Sequence, residues 1–270
     1  MGLMTGKLLV ADIDDTFLVT NRDYIPRENL IAVEKFTRAG GIFTFATGRI
    51  LEAMLQYTQV LDKSIPVIIS NGAEIYDLAN RKLLFHGSLG DEARILAKDI
   101  LDLFPDLSLE VHTPNGLFMV RLNRVSKMHM EVIHLDYIMA TLDEVKDKTW
   151  TKLLIAGERC QIDKIVEWSK SVDYDVAFTR SAPWYYEVLP SGFNKGMALE
   201  KLAKILNIDM KNTYAIGDFH NDTEMLKIAG YSATTAEGAP ELKEIVDFVS
   251  CKAEDSAVGK FIEHIFEMQN

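Results

Sequence analysis

Residues 8–16 read LLVADIDDT, a short apolar run that changes abruptly into three aspartates and a threonine. A continuous apolar run of this length is typical of a strand that is buried on both faces of a parallel sheet. Asp12 and Asp14 are two residues apart, so their side chains point the same way from an extended backbone. Ligands of open parallel sheets bind at the carboxyl ends of the strands. The stretch therefore predicts an α/β sheet with a polar site at one edge.

The same alternation of apolar runs and amphipathic stretches continues along both ends of the chain. Strands and helices that alternate at this spacing predict right-handed crossovers and a parallel sheet. The predicted elements are helix 27–39, strand 42–46, helix 51–61, strand 67–70, helix 195–207, strand 213–216, a strand at about 246–250 and a final helix over 256–268.

The middle of the chain has a different pattern, because its apolar runs carry alternating polar residues, as half-solvated antiparallel strands do. We therefore predict one α/β core, formed by residues 1–81 and 190–270, that is interrupted by an inserted α+β domain over 82–189. His129 and His134 are five apart, which does not place them on one helix face, and we expect both at the surface. The inserted elements are predicted as strands 107–112, 118–121, 152–156, 176–178 and 185–189, with helices at about 91–104, 126–139 and 161–171.

Composition narrows the class of protein. The chain has 270 residues, of which 48% are hydrophobic and 26% charged, and this balance excludes a disordered protein. The net charge of −11, without a basic tract, argues against a nucleic-acid partner. We find no apolar run near the roughly 18 residues of a membrane span, no secretory signal, and no disulfide or zinc pattern in Cys160 and Cys251. We expect a soluble, cytoplasmic protein without a membrane partner, and the sequence indicates no oligomeric state.

Four polar clusters follow predicted strands or open a predicted helix, and the first contains Asp12 and Asp14. Two carboxylates held this close repel each other unless a hard cation such as Mg²⁺ lies beside them. One of them could then attack an electrophile while the other moves protons. The alternative is an acidic turn in which Asp14 or Thr16 caps a helix.

The second and third clusters could both bind an anion. Thr47 and the backbone N–H groups of Gly48 and Arg49 could hold a phosphate oxygen at a helix N-terminus, although Thr47 could also be a simple helix cap. Lys195 lies in the first turn of its helix, where the dipole mildly disfavours a cation. Its ammonium could be placed there to hold an anion, or it could be solvated like most lysines.

The fourth cluster is GDFHND at 217–222, after a predicted strand. Its glycine permits a tight turn, so Asp218 could lie beside Asp12 if the two strands are neighbours. The alternative is a turn in which Asn221 or Asp222 caps the next helix. Taken together, the four clusters supply the carboxylates, hydroxyl and lysine of Mg²⁺-assisted phosphoryl transfer to an aspartate.

Four stretches resemble the motifs of the haloacid dehalogenase superfamily of phosphohydrolases: DIDDT at 12–16, TGR at 47–49, Lys195, and GDFHND at 217–222. SNGA at 70–73 and EVLPSGFNKG at 187–196 are similar to the Cof-type subfamily, which carries a large cap between the second and third motifs. The insertion at 82–189 occupies that place. The resemblance implies an α/β fold with a Rossmann-like parallel-sheet core and an inserted α+β cap that selects the substrate.

The resemblance also implies roles for individual residues. Asp12 would be the nucleophile that forms an aspartyl-phosphate, and Asp14 would be the general acid and base. Thr47 and Lys195 would hold the phosphoryl group that is transferred. Asp12, Asp14 through its carbonyl, Asp218 and Asp222 would bind Mg²⁺, with Asp222 acting through water or by orienting the other ligands. Phosphate and substrate would be contacted by Ile13, Gly48, Arg49, Asn71 and Asn221.

These residues predict a cytoplasmic, Mg²⁺-dependent phosphatase of a small phosphate ester such as a sugar phosphate or a phosphorylated cofactor. Two alternatives remain open. A phosphomutase would pass the phosphoryl group from Asp12 to a second hydroxyl instead of water. A non-catalytic sensor would bind a phosphorylated metabolite without turnover, although such a protein has no need of both Asp12 and Asp14.

Overall fold

The computed structural model of the protein describes residues 2–269 and forms two compact units. The core unit contains the chain up to Phe85 and again from Asn194, and the cap unit is His86–Phe193. Both boundaries lie four residues further along the chain than the sequence predicts. The reason is that Lys82–His86 forms a strand of a core-unit sheet, whereas the strand Tyr185–Pro190 belongs to the cap sheet.

The first core segment begins with the predicted apolar strand. Its elements are β1 (Leu8–Ala11), α1 (Arg27–Arg38), β2 (Ile42–Phe45), α2 (Leu51–Met54), β3 (Val67–Ile69), β4 (Glu74–Asp77) and β5 (Lys82–His86). The cap unit continues with α3 (Glu92–Leu103), β6 (Ser108–Thr113), β7 (Gly116–Arg121), α4 (Arg124–Ile133), β8 (Ile138–Met139), α5 (Leu142–Val145), β9 (Lys152–Ala156), α6 (Arg159–Ser169), β10 (Val176–Ala182) and β11 (Tyr185–Pro190). The second core segment contains α7 (Lys195–Ile205), β12 (Thr213–Gly217), α8 (Thr223–Ile228), β13 (Tyr231–Thr234), α9 (Pro240–Lys243), β14 (Phe248–Val249) and α10 (Ala257–Glu267).

The main core sheet is parallel and has the order β14-β13-β12-β1-β2. Strand β1, which lies between β12 and β2, is buried along its whole length, because successive side chains enter two different hydrophobic clusters. Leu9 packs into one cluster and Leu8 into the other, as expected for a strand covered on both faces. Since β12 pairs with one side of β1 and β2 with the other, the polar residues that follow these strands meet at one edge.

The cap sheet has the order β10-β11-β9-β6-β7-β8 and is antiparallel apart from the β7–β8 pair. One face packs on its own hydrophobic cluster, which includes Leu109, Val111, Leu153 and Ile155. A parallel core with an inserted antiparallel cap confirms the predicted α/β class.

Several predicted elements differ from those observed. The predicted helix 126–139 ends at Ile133, because His134 is left-handed (φ 52°), and Ile138–Met139 instead forms β8. The predicted helix 51–61 is α-helical only in α2 and continues as a 3₁₀ helix over Leu55–Val60. Within residues 2–269, we find no helix long and apolar enough to span a bilayer.

Candidate active site

The site forms at the carboxyl end of β1, where Asp12 follows the strand directly. The Asp12 backbone N–H donates to the Ile216 carbonyl at 2.9 Å, which continues the β1–β12 ladder by one residue. The Asp12 side chain is buried, as is that of Ile13, which packs into the hydrophobic core. Any contact between Ile13 and a phosphate would therefore use its backbone N–H rather than its side chain.

Lys195 carries the only ammonium that contacts Asp12 among the described residues, and it has no exposed surface. Its Nζ lies 2.8 Å from Asp12 Oδ1 and 2.7 Å from Asp222 Oδ1. Asn194 caps this helix, because its side-chain oxygen accepts from the Met197 backbone N–H at 2.8 Å. The alternative of a solvated surface lysine is therefore wrong, since Lys195 bridges two buried carboxylates.

The loop after β12 holds the other two acids. Asp222 Oδ2 accepts from the backbone N–H of Asp218 at 3.1 Å and of Phe219 at 3.3 Å. Gly217 makes this loop possible, since a Cβ there would lie 2.3 Å from the Asp222 Cγ. Asp218 Oδ1 accepts from the Thr16 hydroxyl at 3.0 Å. The sequence did not single out Thr16 as a contact of Asp218.

These carboxylates form a donor set that fits a hard divalent cation. One oxygen from each of Asp12, Asp218 and Asp222 lies within 4.8 Å of the others, and carboxylate oxygens are ligands that Mg²⁺ prefers. Asp222 already accepts hydrogen bonds on both of its oxygens. Within the described residues, Asp12 and Asp218 each receive a contact on Oδ1 only, from Lys195 and Thr16. Asp12 and Asp218 are therefore the better direct ligands, and Asp222 organises the others.

When no cation is bound, burial raises the pKa values of Asp12 and Asp218. Burial, followed by repulsion from Asp222 and Asp14, raises the pKa of Asp12 to about 7 despite the attraction of Lys195. Burial and the nearby Asp12 carboxylate likewise raise the pKa of Asp218. The two carboxylates around Lys195 outweigh its burial and raise the pKa of its ammonium. Three acids thus share one buried positive charge, and a bound cation would relieve that imbalance.

Asp14 is held apart from this set by Arg49. The guanidinium donates from Nε to Asp14 Oδ2 at 2.9 Å and from Nη2 to Oδ1 at 2.7 Å, and the Thr20 hydroxyl donates to Oδ1 at 3.2 Å. Burial alone would raise the pKa of Asp14, but the hydrogen bonds and charge of Arg49 lower it. Arg49 Nη1 also donates to the Tyr57 hydroxyl at 3.1 Å. Most of the guanidinium donors of Arg49 are thus engaged by Asp14 and Tyr57. The Arg49 backbone N–H, which was expected to hold a phosphate oxygen, donates to the Thr47 hydroxyl.

The second motif and the SNGA segment approach each other closely. Thr47 is buried, and its hydroxyl accepts from the Arg49 backbone N–H at 3.1 Å. A Cβ on Gly48 would lie 3.0 Å from Asn71 Nδ2, so a side chain there would crowd Asn71. Asn71 itself has a left-handed backbone (φ 54°), as does Ser70. Strained backbone of this kind is concentrated at functional sites.

Asn71 and Asn221 form a pair of buried amides with unused hydrogen-bonding capacity. Asn221 Nδ2 donates to Asn71 Oδ1 at 3.0 Å, while Asn71 Nδ2 and Asn221 Oδ1 have no partner within the described residues. If both amides were turned over, the pair would still present one free N–H group and one free oxygen. Buried polar atoms without partners need a ligand or water, so this pair is equipped to bind one.

The structure thus brings together Asp12, Lys195, Asp218 and Asp222, and separately Asn71 with Asn221. Asp12 and Asp218 meet because β1 and β12 are neighbours, which is the condition that the sequence prediction required. Thr20 and Tyr57, which contact Asp14 and Arg49, were not predicted. No signal in the sequence marks them, because both belong to irregular or 3₁₀ segments whose path depends on tertiary packing.

The fold and this cluster of acids around a buried lysine define a hydrolase of the haloacid dehalogenase type. The chain belongs to the haloacid dehalogenase-like hydrolases, whose family it matches over residues 9–262. This confirms the predicted superfamily and the prediction that the protein is an enzyme.

Two similar proteins cover nearly the whole chain. The 5-amino-6-(5-phospho-D-ribitylamino)uracil phosphatase YwtE of Bacillus subtilis is 29% identical over 97% of this chain and 99% of its own. The HMP-PP phosphatase of Serratia proteamaculans is 27% identical over 96% of this chain and 94% of its own.

Two solved structures share the fold. A haloacid dehalogenase-like hydrolase from B. subtilis has a TM-score of 0.83 at 23% identity and covers 96% of this chain and 99% of its own. The subclass IIB sugar phosphatase BT4131 has a TM-score of 0.84 at 18% identity, with 96% and 99% covered.

Proposed function

We propose that this protein is a Mg²⁺-dependent phosphatase that hydrolyses a small phosphate monoester through a phosphorylated Asp12. The observation that carries the proposal is the Lys195 ammonium, buried between Asp12 and Asp222 with Asp218 close by. A buried cation that neutralises a nucleophilic carboxylate and a metal-binding set suits transfer of a dianionic phosphoryl group. The relatives named as phosphatases support the same reaction.

Asp12 and Asp218 would hold the cation directly, and Asp222 would orient both through Lys195 and the loop after β12. When bound, Mg²⁺ would neutralise charge on the phosphoryl oxygens and keep Asp12 ionised. The carbonyl of Asp14 remains the expected further ligand.

In the first step, Asp12 attacks phosphorus with a carboxylate oxygen and the bond between phosphorus and the ester oxygen breaks. Asp14 gives a proton to the departing oxygen, so that an alcohol leaves. Asp14 must therefore be protonated at this point, and its hydrogen bonds to Arg49 oppose that form. A proton on Asp14 would have to displace one of those contacts.

In the second step, Asp14 takes a proton from water, the water oxygen attacks phosphorus, and the bond from phosphorus to Asp12 breaks. Inorganic phosphate leaves and the Asp12 carboxylate is restored. The ionised Asp14 that Arg49 favours is the form this step requires. Arg49 would thus position Asp14 as a base rather than bind phosphate.

Thr47, the backbone of Ile13 and Gly48, and the Asn71–Asn221 pair would bind the phosphoryl oxygens and the adjoining part of the substrate. The free N–H of the amide pair suits a phosphate oxygen, and its free oxygen suits a hydroxyl or a bound water. We assign selection of the organic part of the ester to the cap unit. Relatives that match almost the full chain and are named for different substrates support this division.

The test is release of inorganic phosphate from a panel of sugar phosphates, nucleotides and pyridoxal phosphate, with Mg²⁺ and with a chelator. We expect release that the chelator abolishes and that Asp12→Asn reduces to background. Asp62→Asn is the matched control, since Asp62 is exposed and its hydrogen bonds to Ser64 need only the retained side-chain oxygen. Transfer to an added sugar hydroxyl without phosphate release would favour the mutase, and binding without any turnover would favour the sensor.

A further inference from the structure

A chain of buried hydrogen bonds continues from Arg49 on the side away from Asp14. Arg49 Nη1 donates to the Tyr57 hydroxyl at 3.1 Å, and the Tyr57 ring lies against the guanidinium, with 4.9 Å between Arg49 Cζ and the ring centroid. Both residues are almost inaccessible to solvent, since Arg49 is 8% and Tyr57 6% exposed. The proposed mechanism gives Arg49 a role but assigns none to Tyr57.

The Tyr57 hydroxyl has partners for both its proton and its oxygen. It donates to Asp23 Oδ1 at 3.4 Å, and its oxygen accepts from Gln56 Nε2 at 3.1 Å as well as from Arg49. A hydroxyl has one proton to donate and two lone pairs that accept, so these three contacts use its full capacity. Burial raises the pKa of Tyr57, which keeps the proton on the hydroxyl. With its proton directed to Asp23, the hydroxyl faces Arg49 as an acceptor.

The other contacts of the guanidinium show what Tyr57 holds in place. Nε and Nη2 both donate to the Asp14 carboxylate, and a planar guanidinium can make this paired contact in one orientation only. On the other side, Nη1 contacts the Tyr57 hydroxyl and, at 3.4 Å, the Ala53 carbonyl. If the hydroxyl were removed, only the longer of these two Nη1 contacts would remain. Tyr57 therefore fixes the plane in which Arg49 presents two donors to Asp14.

We propose that Tyr57 is a positioning residue for the second step of the reaction, in which its hydroxyl aligns Arg49 so that Asp14 is held ready to activate water. This inference rests on the proposed phosphatase function. In that step the water oxygen attacks phosphorus, the bond from phosphorus to Asp12 breaks, and the water proton passes to Asp14. Tyr57 acts only through Arg49 and exchanges no proton itself.

The second step should depend on Tyr57 more than the first. Asp14 accepts from Arg49 on both of its oxygens, and a carboxyl group that carries the proton for the departing ester oxygen has to give up one of these contacts. A carboxylate that takes a proton from water begins the step with both contacts in place. Loosening Arg49 therefore disturbs the starting arrangement of the second step and spares most of the first.

The experiment measures which step slows in Tyr57→Phe, a change that removes the hydroxyl and keeps the ring against Arg49. The substrate is p-nitrophenyl phosphate with excess Mg²⁺, because p-nitrophenolate departs without needing a proton from Asp14, and glucose 6-phosphate is compared with it. Acid quenching in the steady state gives the fraction of enzyme that carries a phosphoryl group on Asp12.

For p-nitrophenyl phosphate, Tyr57→Phe should lower kcat roughly three- to tenfold and raise the phosphorylated fraction of the enzyme. Since kcat/KM reports only the steps up to formation of the phosphorylated Asp12, it should stay nearly constant, so that KM falls together with kcat. A purely structural role would instead reduce the amount of active enzyme, which lowers kcat and kcat/KM alike and leaves KM unchanged.

A double-mutant comparison tests whether Tyr57 acts through Arg49. In an Arg49→Met background the guanidinium that the hydroxyl aligns is gone, so adding Tyr57→Phe should change kcat by less than about twofold. Tyr76→Phe is the matched control and should behave as the wild type. Tyr76 packs partly buried against the same hydrophobic cluster as Tyr57, and its hydroxyl has no hydrogen bond within residues 2–269.

A second variant keeps the inference testable if Tyr57→Phe is unstable. Asp23 is exposed and has a left-handed backbone (φ 47°), which glycine adopts without strain. Asp23→Gly removes the acceptor that orients the Tyr57 hydroxyl. It should shift kcat, KM and the phosphorylated fraction in the same directions as Tyr57→Phe, by a smaller factor.

The outcomes are distinguishable. If the wild type releases phosphate from neither of these esters nor from the rest of the panel, and Asp12 is never phosphorylated, the proposed function fails. If the wild type is phosphorylated on Asp12 but neither Tyr57→Phe nor Asp23→Gly raises the phosphorylated fraction, the phosphatase stands and this inference is wrong. Equal fold losses from Tyr57→Phe with and without Arg49 would also overturn it.

Discussion

Without bound metal, Asp12→Asn should have a higher free energy of unfolding than the wild type, and this difference should grow as the pH rises. Asp12→Asn removes a carboxylate that lies among Asp14, Asp218 and Asp222 and keeps a side chain of nearly the same shape. The wild type must hold this charge in a buried site, where Lys195 is the one ammonium of the described residues in contact with it. A neutral amide does not carry that penalty.

The magnitude follows from the pKa of Asp12, which burial raises from 3.8 to about 7. Between these two values the folded state holds a proton that the unfolded state has lost, so stability falls as the pH rises. Each pH unit in this window amounts to about 1.4 kcal/mol. From pH 5 to pH 8 the wild type should therefore lose roughly 3 kcal/mol relative to Asp12→Asn.

The assay is urea unfolding of both proteins at pH 5, 6, 7 and 8 in the presence of a chelator. Taking the difference between the two proteins cancels the titration of shared groups that Asp12 does not influence. Asp218, whose pKa the Asp12 carboxylate raises, changes the difference in the same direction as Asp12. Saturating Mg²⁺ should remove most of the pH dependence from the wild type, because a bound cation lowers the pKa of Asp12. A difference that stays constant from pH 5 to pH 8 without metal, or that grows when Mg²⁺ is added, would refute the reasoning.

Three further substitutions test other parts of the site. Lys195→Met should lower kcat roughly 10²- to 10³-fold, and steady-state rates near wild type would contradict its place beside the nucleophile. Arg49→Met should lower kcat roughly tenfold or more by releasing the general acid and base, with KM for phosphate esters nearly constant; a rise in KM alone would instead indicate a phosphate ligand. Gly217→Ala forces a Cβ to within 2.3 Å of the Asp222 Cγ and should reduce the free energy of unfolding by about 1–3 kcal/mol. Gly90→Ala, where nothing lies within 4 Å, should change urea unfolding little, and equal losses at both glycines would argue against the crowding.

The sequence predicts best those site residues whose positions follow from two strands being neighbours in the sheet. Asp12 and Asp218 follow β1 and β12, which are direct neighbours, so the parallel sheet alone brings them to one edge. Lys195 is predicted as an anion-binding residue because a lysine in a first helical turn opposes the helix dipole. Its burial between two carboxylates explains why the chain tolerates that placement.

The contacts of the Arg49 side chain could not be predicted from the sequence. The sequence predicts only that the backbone N–H of Arg49 could hold a phosphate oxygen. The contact of its guanidinium with Asp14 depends on the path of residues 14–20, which contain no regular element that a pattern could predict. The same limit applies to Tyr57, since the amphipathic pattern at 51–61 does not distinguish an α-helix from the 3₁₀ segment that carries it.

In the cap unit the sequence predicts most strands but not a cluster of buried charged side chains around His112. Alternating polar residues in β6 were interpreted as a solvated face, whereas Glu110 and His112 are buried against Lys152, Glu187 and α4. His129 Nδ1 on α4 lies 3.4 Å from Glu110 Oε1 and the side chain is largely buried, so the expectation that His129 lies at the surface is wrong. Charged side chains that are buried because they pair with one another have the same sequence pattern as exposed ones. Strand β13 was missed because YSAT is short and carries few of the bulky residues that mark a strand.

The central claim is that the phosphoryl group passes through Asp12, and a rapid-quench experiment tests it most directly. Enzyme mixed with excess Mg²⁺ and the best substrate is quenched in acid within the first turnover, digested, and analysed by mass spectrometry. The account predicts one added phosphoryl group on the peptide that contains Asp12, formed before free phosphate, and none in Asp12→Asn. Phosphate release without any labelled peptide, or a phosphoryl group on a different residue, would contradict it.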